Sequence, residues 1–255
     1  VRRRAVDHLE GRVKALVLCA GYGRRLGDLT RDRPKPLLEV GEHAIVEHIL
    51  ARLAAAGVDD VWINLHHHAA QFPARLGNGS AWGLRIHWVL ETEPMGTAGT
   101  VSSVREQVGD APLLVHYGDI LTDHDLGGLM AAHRNIDAWA TILVHDRPGS
   151  NSVAVLGEGD RVETFLERPS IPVIGAQQWA FSGICVLSPS AQAGIPRGGR
   201  PDLPAHVFPV LAERGLLFAQ RLAGFRCAID SPERLDLARR ALASGAFVPT
   251  PRRRP

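Results

Sequence analysis

The chain has 255 residues, 45% hydrophobic and 22% charged, the balance of an ordinary soluble globular protein with one large α/β domain or two small ones. A formal net charge of +2 makes no case for a nucleic-acid partner, and no apolar run approaches the roughly 18 residues a membrane span needs. The opening "VRRRAVDHLEGR" is basic but has no apolar segment, so it does not read as a secretory signal.

Residues 1–12 and 247–255 read as basic, solvated tails around a single domain over 13–246. Its first strand is "VKALVLCA", a continuous apolar run that ends in glycines. "AIVEHILARLAAAG" spaces Ile45, Ile49 and Leu53 four apart and stops at Gly57, so it is a helix. "DVWINL" is a strand, and "HAAQFPARLG" a short helix broken or kinked by Pro73. "LRIHWVL" alternates as a strand, "TAGTVSSVREQVG" is a helix ending at Gly109, and "APLLVHYGD" is a strand running into Asp119. "DLGGLMAAHRN" and "AWATILVH" add a helix and a strand. Strand alternating with helix implies a Rossmann-like three-layer αβα sandwich with a mostly parallel mixed sheet, and ligands outside the carboxyl ends of its strands.

After residue 146 short strands dominate, and "GEGD" is a hairpin turn between two of them. We divide the domain into a nucleotide half, 13–145, and a substrate half, 146–246. "DLPAHVFPVLAERG" reads as a helix with an awkward Pro209. "SPERLDLARRALASG" reads as a helix capped by Ser231, with Pro232 first inside and Gly245 past the end. The three cysteines, Cys19, Cys185 and Cys227, lie scattered in apolar runs and form no CxxC pair. They suit buried thiols in a reducing, cytoplasmic setting.

The loop "CAGYGRRLGDLTRDRPKPLLEV" concentrates special residues. It is not a Rossmann fingerprint, since Leu26 stands at the third glycine, and it has no G-K-[ST]. Gly21 and Gly23, beside Ala20, let backbone N–H groups approach phosphate oxygens. Arg25, next to Arg24, offers a planar fork of donors for phosphates. Lys35 offers a point charge, and the prolines around it stiffen its backbone.

This loop resembles the signature of sugar-1-phosphate nucleotidyltransferases, a G-x-G-x-R-L loop, a threonine and then K-P. "INLHHHAAQF", "ETEPMGTAGTV", "GDILTDHDL", "VETFLERP" and "SPERLDLA" resemble that family's further segments, in order, so the resemblance covers about residues 13 to 245. It is closest to the mannose-1-phosphate and heptose-1-phosphate guanylyltransferases. It implies transfer of a nucleotidyl group from an NTP to a sugar or sugar-like 1-phosphate, with release of pyrophosphate. The alternatives are UTP or dTTP as donor, or a sensor that kept the fold and lost catalysis.

The resemblance implies that Arg25, Lys35 and Asp119 are catalytic and that Asp119 binds Mg²⁺. It sets Ala20, Gly21, Gly23, Arg24, Glu91, Gly96 and Thr97 around the nucleotide. Glu91 stands where pyrimidine-using members often carry glutamine. A carboxylate suits the two adjacent donors of guanine, which favours GTP. Glu167, Arg168, Gly183 and Ser152 fall around the sugar phosphate. Arg168 replaces a lysine, and Ser152 a glycine.

The pattern W-x-D-I-G-T-P is altered to "RCAIDSP", which puts Ala228 at the second metal aspartate. Asp230 either takes over that role or belongs to the cap of the last helix. Asp123 and Asp125 are expected to cap the helix that follows them. His66, His67 and His68 are adjacent at a strand end and cannot all face one ion, so they read as the edge of the site. A homodimer is a further expectation of the resemblance.

Overall fold

The computed structural model describes residues 13–251 apart from positions 148, 172 and 174. The basic extension 1–12 and the end of the arginine tail lie outside the described residues. Strand β1 (Val13–Leu18) leads through a 3-10 segment (Arg24–Thr30), a second 3-10 turn (Lys35–Leu37) and a small hairpin, β2 (Glu39–Val40) and β3 (His43–Ala44). Helix α1 (Ile45–Ala55) then returns to β4 (Val58–Leu65), and α2 (Gln71–Leu76) leads to β5 (Arg85–Leu90). Pro73 lies in the first turn of α2, where a missing N–H costs nothing, so the helix simply begins there.

Helix α3 (Thr97–Val108) crosses to β6 (Leu113–Tyr117), followed by β7 (Ile120–Thr122), α4 (Leu126–Arg134) and β8 (Ala140–His145). The second half adds β9 (Ser152–Leu156), β10 (Val162–Glu167), β11 (Gln178–Leu187) and α5 (Pro189–Ala193). It ends with α6 (Phe208–Glu213), β12 (Leu217–Arg221), β13 (Arg226–Ala228) and α7 (Pro232–Ser244).

The expected helix around Pro209 is two pieces. A π-helical turn, Leu203–Val207, precedes α6, and Pro209 sits in the first turn of α6, where its missing donor is tolerated. The final helix is capped as read: the Ser231 hydroxyl accepts from the Arg234 amide, and Gly245 takes φ 75°. Phe247, read as the start of a solvated tail, is buried instead, against His48 and Phe225.

Nine of the strands form one mixed sheet, while β2 with β3 and β7 with β13 pair separately. β6, β1, β4 and β5 run parallel side by side, β12 is parallel to β8, and the long β11 joins the halves antiparallel to β6, β8 and β9. Alternate residues feed two cores. Ala15, Val17 and Leu114 meet α1, α4 and α7 on one face, and Leu16, Leu113 and Val115 meet α3, α5 and α6 on the other. This is the Rossmann-like three-layer sandwich the sequence implies.

The layout fixes where a ligand can sit. From β1 the chain moves outward to β4 and β5, then crosses back through α3 to β6 on the other side of β1. The crevice beyond Leu18 and Tyr117, paired in register, is therefore the switch point of the sheet.

Candidate active site

The two strand-end loops touch because residue 118 is glycine. Its amide donates to the Leu18 carbonyl at 2.9 Å, and a Cβ there would fall 2.6 Å from Cys19 Sγ. That close approach delivers Asp119 beside the glycine loop. Lys35 reaches it from the Pro34–Pro36 turn, with Nζ 2.7 Å from Asp119 Oδ2. Both side chains are largely shielded, 14% and 24% exposed, so the pair is electrostatically stronger than a surface bridge.

A second pair stands alongside. β13 pairs antiparallel with β7, and beyond their ends the Ile229 amide donates to the Asp119 carbonyl at 2.8 Å. The next residue, Asp230, turns its carboxylate to Arg25, 3.3 Å from the guanidinium. Capping of α7 is left to Ser231, so Asp230 is free of that task, while Ala228 packs against the core. Asp123 does not cap α4 as expected: its Oδ1 accepts from the Phe225 amide at 2.6 Å and ties the β13 segment down. Asp125 holds the N-cap position without a side-chain cap bond.

A cavity of about 240 Å³ opens between these groups. Ala20, Gly21, Lys35, Glu91, Gly96, Thr97 and Asp119 line it, with Tyr117. Nothing lies within 4 Å of a Cβ built on Gly21, so the backbone there is open to a ligand. Gly23, at φ 69°, instead lets the loop close on Thr30 and Lys35. Arg24 lies over the Tyr22 ring, its guanidinium carbon 4.9 Å from the centroid, and does not line the cavity.

Three residues missed in the sequence, Asn64, Thr100 and Asp202, organise the cavity wall around Glu91 and Thr97. Asn64 accepts from the Cys19 amide at 2.7 Å and donates to Glu91 Oε1 at 2.8 Å. The Thr100 hydroxyl donates to the same Oε1 at 2.6 Å, and the Met95 amide to Oε2 at 3.1 Å. Glu91 is thus buried and committed to the chain on both oxygens. Asp202, from the distant 196–203 strap, accepts from the Thr97 amide at 2.9 Å, while the Pro201 carbonyl accepts from Ala98. A Cβ on Gly96 would fall 2.5 Å from the Pro201 oxygen, so glycine is required for that strap to seat. Nothing in a local pattern could have revealed partners more than a hundred residues away.

Of the residues expected around the sugar phosphate, Gly183 takes φ 88°, and a Cβ would fall 2.9 Å from Ile120. Glu167 ends β10, and burial raises its carboxyl above the ordinary range. Arg168 has φ 50°, and its side chain is 76% exposed with only a loose 3.5 Å contact to Glu167. Ser152 is buried, its hydroxyl accepting from the Phe181 amide at 2.9 Å, so it braces β11 and does not line the cavity.

The histidines do edge the site. His66 bridges the Glu91 carbonyl and the Tyr22 hydroxyl, each at 2.8 Å, and His68 contacts the Arg31 carbonyl. Among the described residues no cluster of three or more His, Cys, Asp or Glu could hold a metal, and no helix is long and apolar enough to cross a membrane. Asp119 and Asp230 are two hard oxygen donors, which suits an ion that keeps phosphate and water as its other ligands.

Comparison with known proteins shows the family and the fold. A mannose-1-phosphate guanylyltransferase of Mycobacterium tuberculosis is 34% identical over 206 residues, 80% of this chain and 56% of that protein. A mannose-1-phosphate guanyltransferase of Yarrowia lipolytica is 32% identical over 228 residues, 87% of this chain and 61% of that protein. The chain thus spans under two thirds of the length of these relatives. A Bacillus anthracis protein described as a glucose-1-phosphate thymidylyltransferase, solved with a sucrose, shares the fold. Its TM-score is 0.81 at 20% identity, covering 91% of this chain and 95% of that one. The nucleotidyl transferase family model matches residues 14–196, and the chain belongs to that family.

Proposed function

We propose that this protein transfers a nucleotidyl group from a nucleoside triphosphate to a sugar or sugar-like 1-phosphate, with GTP as the favoured donor. The observation that carries the reading is the pair of ion pairs at the switch point, Lys35 with Asp119 and Arg25 with Asp230. Each cation is held by a carboxylate. Phosphates can take the cations and a divalent ion the carboxylates, so binding exchanges one set of counter-charges for another. The names of the relatives support the same reading and favour guanine and mannose 1-phosphate.

In this reading the open backbone at Gly21 receives the triphosphate. Arg25, 71% exposed, is free to swing its fork onto phosphate oxygens. Lys35 neutralises charge building on the α-phosphoryl oxygens. An acceptor phosphate oxygen attacks the α-phosphorus in line, the bond to the β-phosphate oxygen breaks, and pyrophosphate leaves with that oxygen. Mg²⁺, held by Asp119 and Asp230, would screen the phosphate charges. Glu167 accepts from sugar hydroxyls, and Arg168 reaches the sugar phosphate from solvent. Three buried free cysteines support a reducing, cytoplasmic setting.

Pyrophosphate release tests the proposal, with GTP, UTP and dTTP each offered against a panel of sugar 1-phosphates, with and without Mg²⁺. A product from one pair that disappears in Asp119→Ala is the expected result. Metal-independent binding without product from any pair would favour a sensor instead.

A further inference from the structure

Arg226 is the most conspicuous cation that the reading above leaves without work. It sits on β13, one strand pairing from Asp119, and its Nε and Nη2 donate to the Ser182 carbonyl at 3.3 and 3.0 Å. Ser182 immediately precedes Gly183, the acceptor-side glycine. Arg226 therefore lies between that glycine and the candidate metal aspartate.

The leading opposite charge that bears on it, Asp119, is shared. Among the described residues Arg226 makes no ion pair, and the nearby Asp119 is already held by Lys35 at 2.7 Å. Arg234 and Arg147 bear on it with like charge, and the rings of His145 and His116 lie within its field. Arg234 shares its own charge with Asp230 only at 3.9 Å, and Arg147 makes no ion pair among the described residues. Burial, ahead of these neighbours, pulls the Arg226 guanidinium down to about 10. A shielded guanidinium with Arg234 and the exposed Arg147 in its field is favoured by an added anion. Arg168, the residue expected to hold the acceptor's phosphate, is by contrast mostly in water.

We propose that Arg226, with Arg234 and Arg147 beside it, is an oxyanion site for the acceptor, binding a phosphate or carboxylate group of the sugar phosphate. The inference rests on the transferase reading for the identity of its ligand. The oxyanion has two sources, the 1-phosphate itself or a second acidic group on the ring, and the experiment separates them.

Calorimetry measures binding of α-glucose 1-phosphate, α-glucose 1,6-bisphosphate and α-glucuronate 1-phosphate, with and without α,β-methylene GTP. Wild type is compared with Arg226→Gln, which keeps a donor for the Ser182 carbonyl, and with Arg226→Lys, which keeps the charge. Loss of at least about tenfold in sugar-phosphate affinity in the glutamine variant, partly restored by lysine, is expected. An equal loss for all three ligands assigns the 1-phosphate as the oxyanion. A loss confined to the doubly acidic pair assigns a second group.

Unchanged affinity in Arg226→Gln overturns the site, as does wild-type silence toward all three ligands, or weakening of the nucleotide alone. If the glutamine variant fails to fold, the lysine variant decides by the same threefold comparison, a uniform or selective loss supporting the site and no change overturning it. Arg226-dependent binding together with no pyrophosphate from any hydrolysable NTP and sugar 1-phosphate pair of the panel above would overturn the transferase reading and leave the oxyanion site standing.

Discussion

Lys35 Nζ and Asp119 Oδ2 lie 2.7 Å apart, brought together from positions 84 residues apart in the chain. The contact joins the group suited to the α-phosphate and the group suited to a metal. Each therefore neutralises the other's charge. Lys35→Ala should lower kcat by roughly a hundred- to a thousandfold, the scale of removing one preorganised charge from a transition state. Asp119→Asn should abolish the dependence of turnover on Mg²⁺ concentration along with most of the turnover. Steady-state kinetics across a metal titration reads both. A lysine variant with a raised KM and an unchanged kcat would reassign Lys35 to ground-state binding.

Glu91 is expected to behave as a brace. Its two oxygens accept from Asn64, Thr100 and the Met95 amide. Glutamine must turn an NH₂ toward at least one of those donors, whichever way it is placed. Glu91→Gln should therefore cost about 1–3 kcal/mol of stability by urea unfolding, with a loss of affinity common to all nucleotides. A shift in preference from GTP to UTP at unchanged stability would show instead that Glu91 reads the base.

These contrasts show what the sequence could reveal. The strand-to-loop junction at Cys19, the helix stop at Gly57 and the cap at Ser231 are local, set by a few neighbouring side chains, and the structure has them where they were read. Lys35 stood out as a cation between two prolines and Asp119 entered through the resemblance, and the structure brings the two side chains together. Asn64 and Asp202 were not legible. Their meaning depends on partners 27 to 105 residues away, and an isolated polar residue at a strand end has no signature of its own. Pro209 misled for a related reason, since a proline inside an apolar pattern leaves open whether the helix kinks or starts again.

The 196–203 strap is the next place to test. Asp202 accepts from the amide and the hydroxyl of Thr97, and the Thr97 hydroxyl donates nothing to solvent while it serves that carboxylate. Asp202→Ala removes a cap-like acceptor and should destabilise by about 1 kcal/mol. Gly96→Ala should be worse, because the added Cβ meets backbone oxygens of Arg200 and Pro201 at 2.8 and 2.5 Å and the φ is 75°. Both variants should raise the KM for nucleotide, since the strap and Gly96 share the cavity wall. A Gly96→Ala protein as stable and as active as wild type would mean that the strap seats elsewhere in solution.

Acid should weaken the fold through its buried histidines, and His133 gives the means to check it. The ring is buried beneath β8, its Nδ1 2.8 Å from the Thr141 hydroxyl. Burial, with Arg134 nearby, lowers its pKa to about 4 from an ordinary 6.5. Between those two values the unfolded chain binds a proton that the folded chain refuses, so stability falls as pH drops from 6.5 toward 4 and this contribution levels off below. His116, fully buried on β6 and also lowered to about 4, acts in the same direction. Urea unfolding at pH 7, 5.5 and 4 should show this slope. His133→Gln, which can keep a bond to Thr141, should make it shallower by up to about one proton. An identical slope in the variant would mean that His133 is protonated within the fold and that the acid sensitivity belongs to other groups.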